Sequence, residues 1–238
     1  MPSLGRGLQK RILLSTLIIV ILSLVSNTTG VTAASAHAVS GQATPLRSSA
    51  GTLTPSHPSA ITASGGNFII VNYNSDKCLD VANYGTSNLD NVQQWTCHSP
   101  STQNQLWSAH YVTSWTDPNT GVTYDVVQFI EQGTNECLEA YNWGTSDGTN
   151  VDIYNCAPAS QMHENQLWII ETDQTYTYEY IWNYGATLLR GLGIALDVVC
   201  TSGTNNGQNN GANVQLWHET TNSACYGNNQ IWVVEGPL

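Results

Sequence analysis

The chain has 238 residues, 41% of them hydrophobic and only 10% charged, with a formal net charge of −11. All seventeen acids lie beyond residue 64, where Lys77 and Arg190 are the only two bases, so the region from residue 65 onward carries a formal −15. Such a field repels nucleic acid and anionic membrane surfaces, and no basic stripe offsets it, which excludes both as partners.

Arg6, Lys10 and Arg11 precede a mostly apolar run from Ile12 to Val25, which ends at the polar Ser26-Asn27-Thr28-Thr29. That run is too short to span a bilayer as a stable helix. Ala34-Ser35-Ala36 and Ala36-His37-Ala38 each offer the small-residue pattern that a signal peptidase needs. Residues 1–38 are therefore expected to be a removed secretory signal, and the product to be secreted and extracellular. From 39 to 64 the chain is nearly all Ser, Thr, Ala, Pro and Gly. So little apolar bulk cannot offset the entropy of ordering, and the segment reads as a disordered linker or tail. Residues 65–238 then form one domain with ample aromatic and aliphatic content for a core.

Six cysteines behind a secretory signal point to disulfides. Cys78 to Cys97 and Cys137 to Cys156 are both steps of 19, which argues for two local loops of the same shape. Cys200 and Cys225 are left over, 25 apart, and pair by elimination. Zinc is the rival use of cysteine, but there is no Cys-x-x-Cys.

Self-similarity organises this domain. Asn104-Gln105-Leu106-Trp107, Asn165-Gln166-Leu167-Trp168 and Asn229-Gln230-Ile231-Trp232 recur at spacings of 61 and 64. Upstream, Cys78-Leu79-Asp80, Cys137-Leu138-Glu139 and Ala195-Leu196-Asp197 recur in phase, at steps of 59 and 58. Between these landmarks Asn83-Tyr84-Gly85-Thr86-Ser87 matches Asn142-Trp143-Gly144-Thr145-Ser146, and Asn91-Val92, Asn150-Val151 and Asn213-Val214 match again. Turn-forming clusters of Gly, Asn, Asp and Ser divide short stretches rich in Val, Ile, Tyr and Trp, and no segment shows a helical period. The expectation is an all-β domain of three pseudo-symmetric four-stranded repeats, about 66–113, 124–172 and 178–236, closed on itself so that no sheet edge is exposed.

Trp107, Trp168 and Trp232 sit beside aliphatic residues at the end of each repeat and are expected to plug a common core, with the Gln before each tying loop groups. A sugar offers C–H groups on one ring face and vicinal hydroxyls that donate hydrogen bonds. An exposed aromatic ring suits the first, an acceptor-only carboxylate the second, and an amide can both donate and accept. Asp80, Trp95 and Asn104 supply that set in the first repeat. The competing reading of an Asp at a strand end, a cap on its own loop, suits one Asp alone but not one with an aromatic and an Asn in phase.

The threefold Gln-x-Trp, the Cys-Leu-Asp start and the cysteine pair within a repeat resemble the ricin B-type lectin β-trefoil, over about residues 66–236. The resemblance implies a site built from the early Asp, the Gln and aromatic of the middle motif, and the late Asn-Gln. It assigns Asp80, Gln93, Trp95, Asn104 and Gln105 in the first repeat. In the second it assigns Glu139, Asp152, Tyr154, Asn165 and Gln166, where Glu replaces Asp and Asp replaces Gln, so two carboxylates approach one pocket and Trp143 stands nearby. In the third it assigns Asp197, Gln215, Trp217, Asn229 and Gln230, with a longer loop and the insertion Asn205–Gly211 expected to border that pocket.

The resemblance implies carbohydrate as the partner, a galactose-type sugar or a plant or cell-surface polysaccharide, bound by a multivalent monomer without metal or cofactor. Catalysis is not expected: the assignable carboxylates repeat with the threefold pattern, and there is no His-Glu-x-x-His or nucleophile motif. A protein-binding or proteinase-inhibiting trefoil is the alternative, because fold alone does not settle function.

Overall fold

A computed structural model describes residues 66–172, 179–200, 207–220, 225 and 227–236. The leader and linker expected at 1–38 and 39–64 lie outside these residues, as do 201–206 and 221–224.

Three sets of four strands follow one another: β1 (Ile69–Asn72), β2 (Lys77–Val81), β3 (Val92–Thr96) and β4 (Trp107–Thr116); β5 (Thr123–Glu131), β6 (Cys137–Ala140), β7 (Val151–Tyr154) and β8 (Trp168–Thr172); β9 (Glu179–Asn183), β10 (Ile194–Val198), β11 (Ala212–His218) and β12 (Ile231–Glu235). The first and last strands of each set form a ring of antiparallel pairs, β1 with β12, β12 with β9, β9 with β8, β8 with β5 and β5 with β4. Phe68 and Trp107 close it: each donates its backbone N–H to the other's carbonyl at 2.9 Å. The inner strands of each set make the hairpins β2–β3, β6–β7 and β10–β11. This is a β-trefoil.

Strand periodicity separates core from site. In β2, Leu79 and Val81 face the main core while Asp80 takes the opposite face. Leu138 and Ala140 flank Glu139 in the same way, and Leu196 and Val198 flank Asp197. Trp107, Trp168 and Trp232 are fully buried in that core. Their indole N–H groups donate to the carbonyls of Leu79, Leu138 and Leu196 at 3.2, 3.0 and 2.9 Å. Each tryptophan therefore ties its repeat's last strand to the strand that carries the site acid.

The hairpins meet around the pseudo-threefold axis. Asn150 Nδ2 donates to Asn91 Oδ1 at 3.0 Å and Asn213 Nδ2 to Asn150 Oδ1 at 2.9 Å. Just before them, Leu89 N–H donates to the Ile153 carbonyl, Gly148 N–H to that of Leu216 and Gly211 N–H to that of Gln94, at 2.8, 2.8 and 2.9 Å. The turn of one repeat is thus pinned to the third strand of the next, cyclically.

All three expected disulfides are present, Cys78–Cys97, Cys137–Cys156 and Cys200–Cys225, with Cα separations of 5.0, 4.9 and 6.3 Å. Two features depart from the sequence expectation. A helix, α1 (Tyr184–Arg190), follows β9, capped by the Asn183 side chain accepting from Ala186 N–H at 3.0 Å and ended by Gly191 with φ 68°. It has only seven residues and leaves Leu188 and Leu189 exposed, so no apolar period betrays it. The β4–β5 hairpin also runs long, carrying the first repeat's last strand to Thr116 rather than to about 113.

Candidate functional site

In the first repeat Asp80 of β2 lies opposite Gln93 of β3. Gln93 Nε2 donates to Asp80 Oδ1 at 2.9 Å. A single 3-10 turn, Gln103–Gln105, brings Asn104 Nδ2 and Gln105 Nε2 onto Oδ2 at 2.8 and 2.9 Å. Three amide donors thus fix a carboxylate that is only 2% exposed. Burial raises its pKa above the usual aspartate value, and the hydrogen bonds from Gln93, Gln105 and Asn104 oppose that shift.

Gln105 spends its head group inside the protein. Its Oε1 accepts from His98 N–H at 2.9 Å and its Nε2 also reaches the Thr96 carbonyl at 3.1 Å. It positions Asp80 and ties the loop, as does its counterpart Gln166, which accepts from Ala157 N–H at 2.8 Å and donates to the Asn155 carbonyl at 3.0 Å.

Asp80, Gln93, Trp95 and Asn104 line a hollow of about 270 Å³ together with Asn83, Tyr84 and His98. Trp95 is 38% exposed and Tyr84 57%. Tyr84 is the aromatic that the sequence reading passed over. Asn83 and Tyr84 both adopt left-handed backbone, with φ of 56° and 54°, and the matching Asn142 and Trp143 do the same at 49° and 59°. Two consecutive non-glycine residues in that region are a strained arrangement of the kind that gathers at binding sites. The turn is held by Gly85 N–H on the Ala82 carbonyl and by Ser87 N–H on Asp90 Oδ2, at 3.0 and 2.7 Å. A Cβ on Gly85 would come within 2.4 Å of the Asp90 side chain, which is why glycine follows the aromatic.

The second hollow is larger, about 480 Å³, and is lined by Glu139, Tyr154 and Gln166 along with Leu89, Tyr141, Trp143 and His163. Gln166 Nε2 donates to Glu139 Oε2 at 2.7 Å, and Asn165 Nδ2 donates to the Ala140 carbonyl at 3.3 Å. Glu139 and Asp152 are directly opposed in β6–β7. Only Glu139 reaches the hollow. Asp152 is buried, and among the described residues its Oδ1 has no hydrogen-bond partner. Burial, and then the charge of Glu139, push Asp152 up to about 7. The expected meeting of two carboxylates thus occurs across the strand pair rather than at the hollow's surface.

The ricin-type beta-trefoil lectin domain-like family matches residues 59–154, which hold the first site and most of the second. The domain has the β-trefoil fold, and its first half is similar to that family. Three solved structures share its shape. A designed threefold-symmetric protein, ThreeFoil, is 27% identical with a TM-score of 0.54, the match covering 72% of this chain and 99% of that one. An exo-β-1,3-galactanase from Clostridium thermocellum is 21% identical with a TM-score of 0.53, over 72% of this chain and 30% of the enzyme. A ricin B-like lectin from Macrolepiota procera, in complex with lactose, is 19% identical with a TM-score of 0.50, over 74% and 98%. A search of the curated proteins finds no match.

The third repeat of this β-trefoil restores the acid–amide pairing of the first. Gln215 Nε2 donates to Asp197 Oδ1 at 3.0 Å and Asn229 Nδ2 to Oδ2 at 2.7 Å. Burial pushes Asp197 up to about 6. Gln230 Oε1 accepts from Thr220 N–H and its Nε2 donates to the His218 carbonyl, both at 3.1 Å. Trp217 is half-buried and stacks on His218 at 5.9 Å. His218 Nδ1 lies 2.6 Å from Asp147 Oδ2, and Asp147 also meets Arg190 at 2.8 Å, so a second-repeat turn and α1 both brace this site.

The insertion expected beside the third pocket goes elsewhere. Of Asn205–Gly211, residues 207–211 are described, and they pack on β3: Asn210 Oδ1 accepts from Thr96 N–H at 2.9 Å, and a Cβ on Gly211 would stand 3.8 Å from Trp95. The cyclic pinning of each turn to the next repeat sends this segment to the first hollow.

Proposed function

We propose that the protein is a secreted carbohydrate-binding module that acts without catalysis, taking galactose-type sugars or polysaccharide at its repeated hollows. The observation that carries this reading is the first hollow, where Asp80 is fixed by three amides beside two exposed aromatic rings, Trp95 and Tyr84. The rings offer a surface for the C–H face of a pyranose, and the carboxylate and Asn104 face its hydroxyls. In all three repeats the site Asn is buried in the same way, and among the described residues its Oδ1 has no hydrogen-bond partner, at Asn104, Asn165 and Asn229.

Shallow polar sites of this kind bind single sugars weakly, and two or three on one rigid body raise affinity for polymers by a factor on the order of 10². Acting as a monomer suffices for that gain. A glycan array on the purified protein, beside an Asp80→Asn, Asp197→Asn variant that keeps the side-chain shape, tests the reading. Binding to polyvalent glycans that falls in the variant supports it. A folded wild-type protein that binds no glycan overturns it in favour of a protein-binding trefoil.

A further inference from the structure

Leu89, Gly148 and Gly211 occupy one equivalent position in the three repeats, two residues before Asn91, Asn150 and Asn213. All three have left-handed backbone, with φ of 72°, 83° and 78°. Glycine adopts that conformation without steric cost, whereas leucine pays for it through its Cβ. Each residue borders the site of the following repeat. Gly211 stands against Gln93 and Trp95 of the first hollow, Gly148 is bonded to Leu216 beside Trp217, and Leu89 lines the second hollow.

The fold does not need a side chain there. The Leu89 N–H bond to Ile153 is a backbone bond that any residue keeps, and the side chain is 52% exposed. What Leu89 adds is apolar wall. It joins Tyr141, Trp143 and Tyr154, all exposed, and Tyr141 stands where the first repeat has Ala82. The second hollow is also the roomier, about 480 Å³ against about 270 Å³.

We propose that Leu89 is a specificity residue supplied across the repeat boundary, and that the second hollow selects a sugar carrying a methyl-bearing substituent, an N-acetylhexosamine over its parent hexose. The acetamido methyl meets Leu89 and the aromatic wall, and its N–H is a donor for Glu139, which can only accept when ionised. This rests on the carbohydrate reading above. Burying one methyl against this wall favours the acetamido sugar by roughly fourfold or more.

Calorimetric titration of N-acetylgalactosamine and galactose tests this in the full chain carrying Trp95→Ala and Trp217→Ala, which remove the aromatic platforms of the other two sites. The acetamido sugar is expected to bind at least about fourfold tighter. Adding Leu89→Gly, or Leu89→Asn as a second variant that tolerates left-handed backbone, is expected to abolish that preference while the melting temperature holds or rises. A merely structural leucine would give the reverse, a lower melting temperature and an unchanged preference. Equal binding of both sugars, or a preference that survives both Leu89 variants, overturns the inference alone. Binding of neither sugar overturns the carbohydrate reading of this hollow as well.

Discussion

Glu139 and Asp152 face each other directly across β6–β7, in the register where Asp80 faces Gln93 and Asp197 faces Gln215. In the other two repeats the glutamine donates to the acid. Here the opposing side chain is a second carboxylate, and Asp152 Oδ1 has no hydrogen-bond partner among the described residues. Asp152→Gln would restore the donor and remove the repulsion. It is expected to stabilise the protein by roughly 1–2 kcal/mol at pH 7.5, read from the urea midpoint at constant slope. A loss of stability would mean that glutamine's extra length cannot be packed there.

The pH profile follows from the same burial. Asp152, Glu171 and Glu179 are pushed up to about 7 and Asp197 up to about 6, each first by desolvation. Their folded pKa values lie above the unfolded ones, so between them the folded state holds more protons. The stability they contribute is full below about pH 4 and is lost as pH rises through 6 to 7. Thermal melts are expected to give a higher melting temperature at pH 5 than at pH 8, and Asp152→Asn should flatten part of that slope. A melting temperature that rises from pH 5 to pH 8 would contradict this.

Trp168 is fully buried and donates to the Leu138 carbonyl at 3.0 Å. Trp168→Ala leaves a cavity and an unpaired carbonyl, and is expected to cost about 3–5 kcal/mol in chemical unfolding. The equivalent changes at Trp107 and Trp232 should cost as much, whatever ligand is present. These tryptophans are frame rather than site.

Tyr84 makes the opposite case. It is exposed and strained, with φ 54°, and its ring centroid lies 6.4 Å from that of His98 in the same hollow. Tyr84→Gly is expected to leave the melting temperature unchanged or higher while weakening sugar binding at the first hollow about tenfold, the scale of one lost aromatic contact. Isothermal titration with a polyvalent glycan beside a thermal melt separates the two effects.

The trefoil was legible because its determinants repeat. The three Gln-x-Trp segments, the phased Leu-Asp or Leu-Glu steps and the Asn-Val pairs each map onto the same place in three hairpins, and the 19-residue cysteine steps onto two like disulfides. What broke the repetition was harder to read. The helix α1 rests on a cap at Asn183 and on Gly191 rather than on an apolar stripe. Tyr84 lay in plain view within a matched pentapeptide, but its ring reaches the hollow only because Asn83 and Tyr84 turn left-handed, and sequence period says nothing of backbone sign. The insertion Asn205–Gly211 was misplaced, and Leu89 passed over, for a related reason. Within-repeat logic assigns a loop to its own repeat's pocket, whereas the backbone bonds Leu89 to Ile153 and Gly211 to Gln94 carry each turn to the next one.

The most direct test of carbohydrate binding at the first hollow is a calorimetric titration of the best glycan from the array into wild type and Trp95→Ala. Trp95 lies on the outer face of β3, 38% exposed, so its loss should leave the fold intact. The account predicts a rise in Kd of tenfold or so with an unchanged melting temperature, about 1.4 kcal/mol of lost stacking. An unchanged Kd would place the sugar elsewhere on the molecule and contradict the assignment.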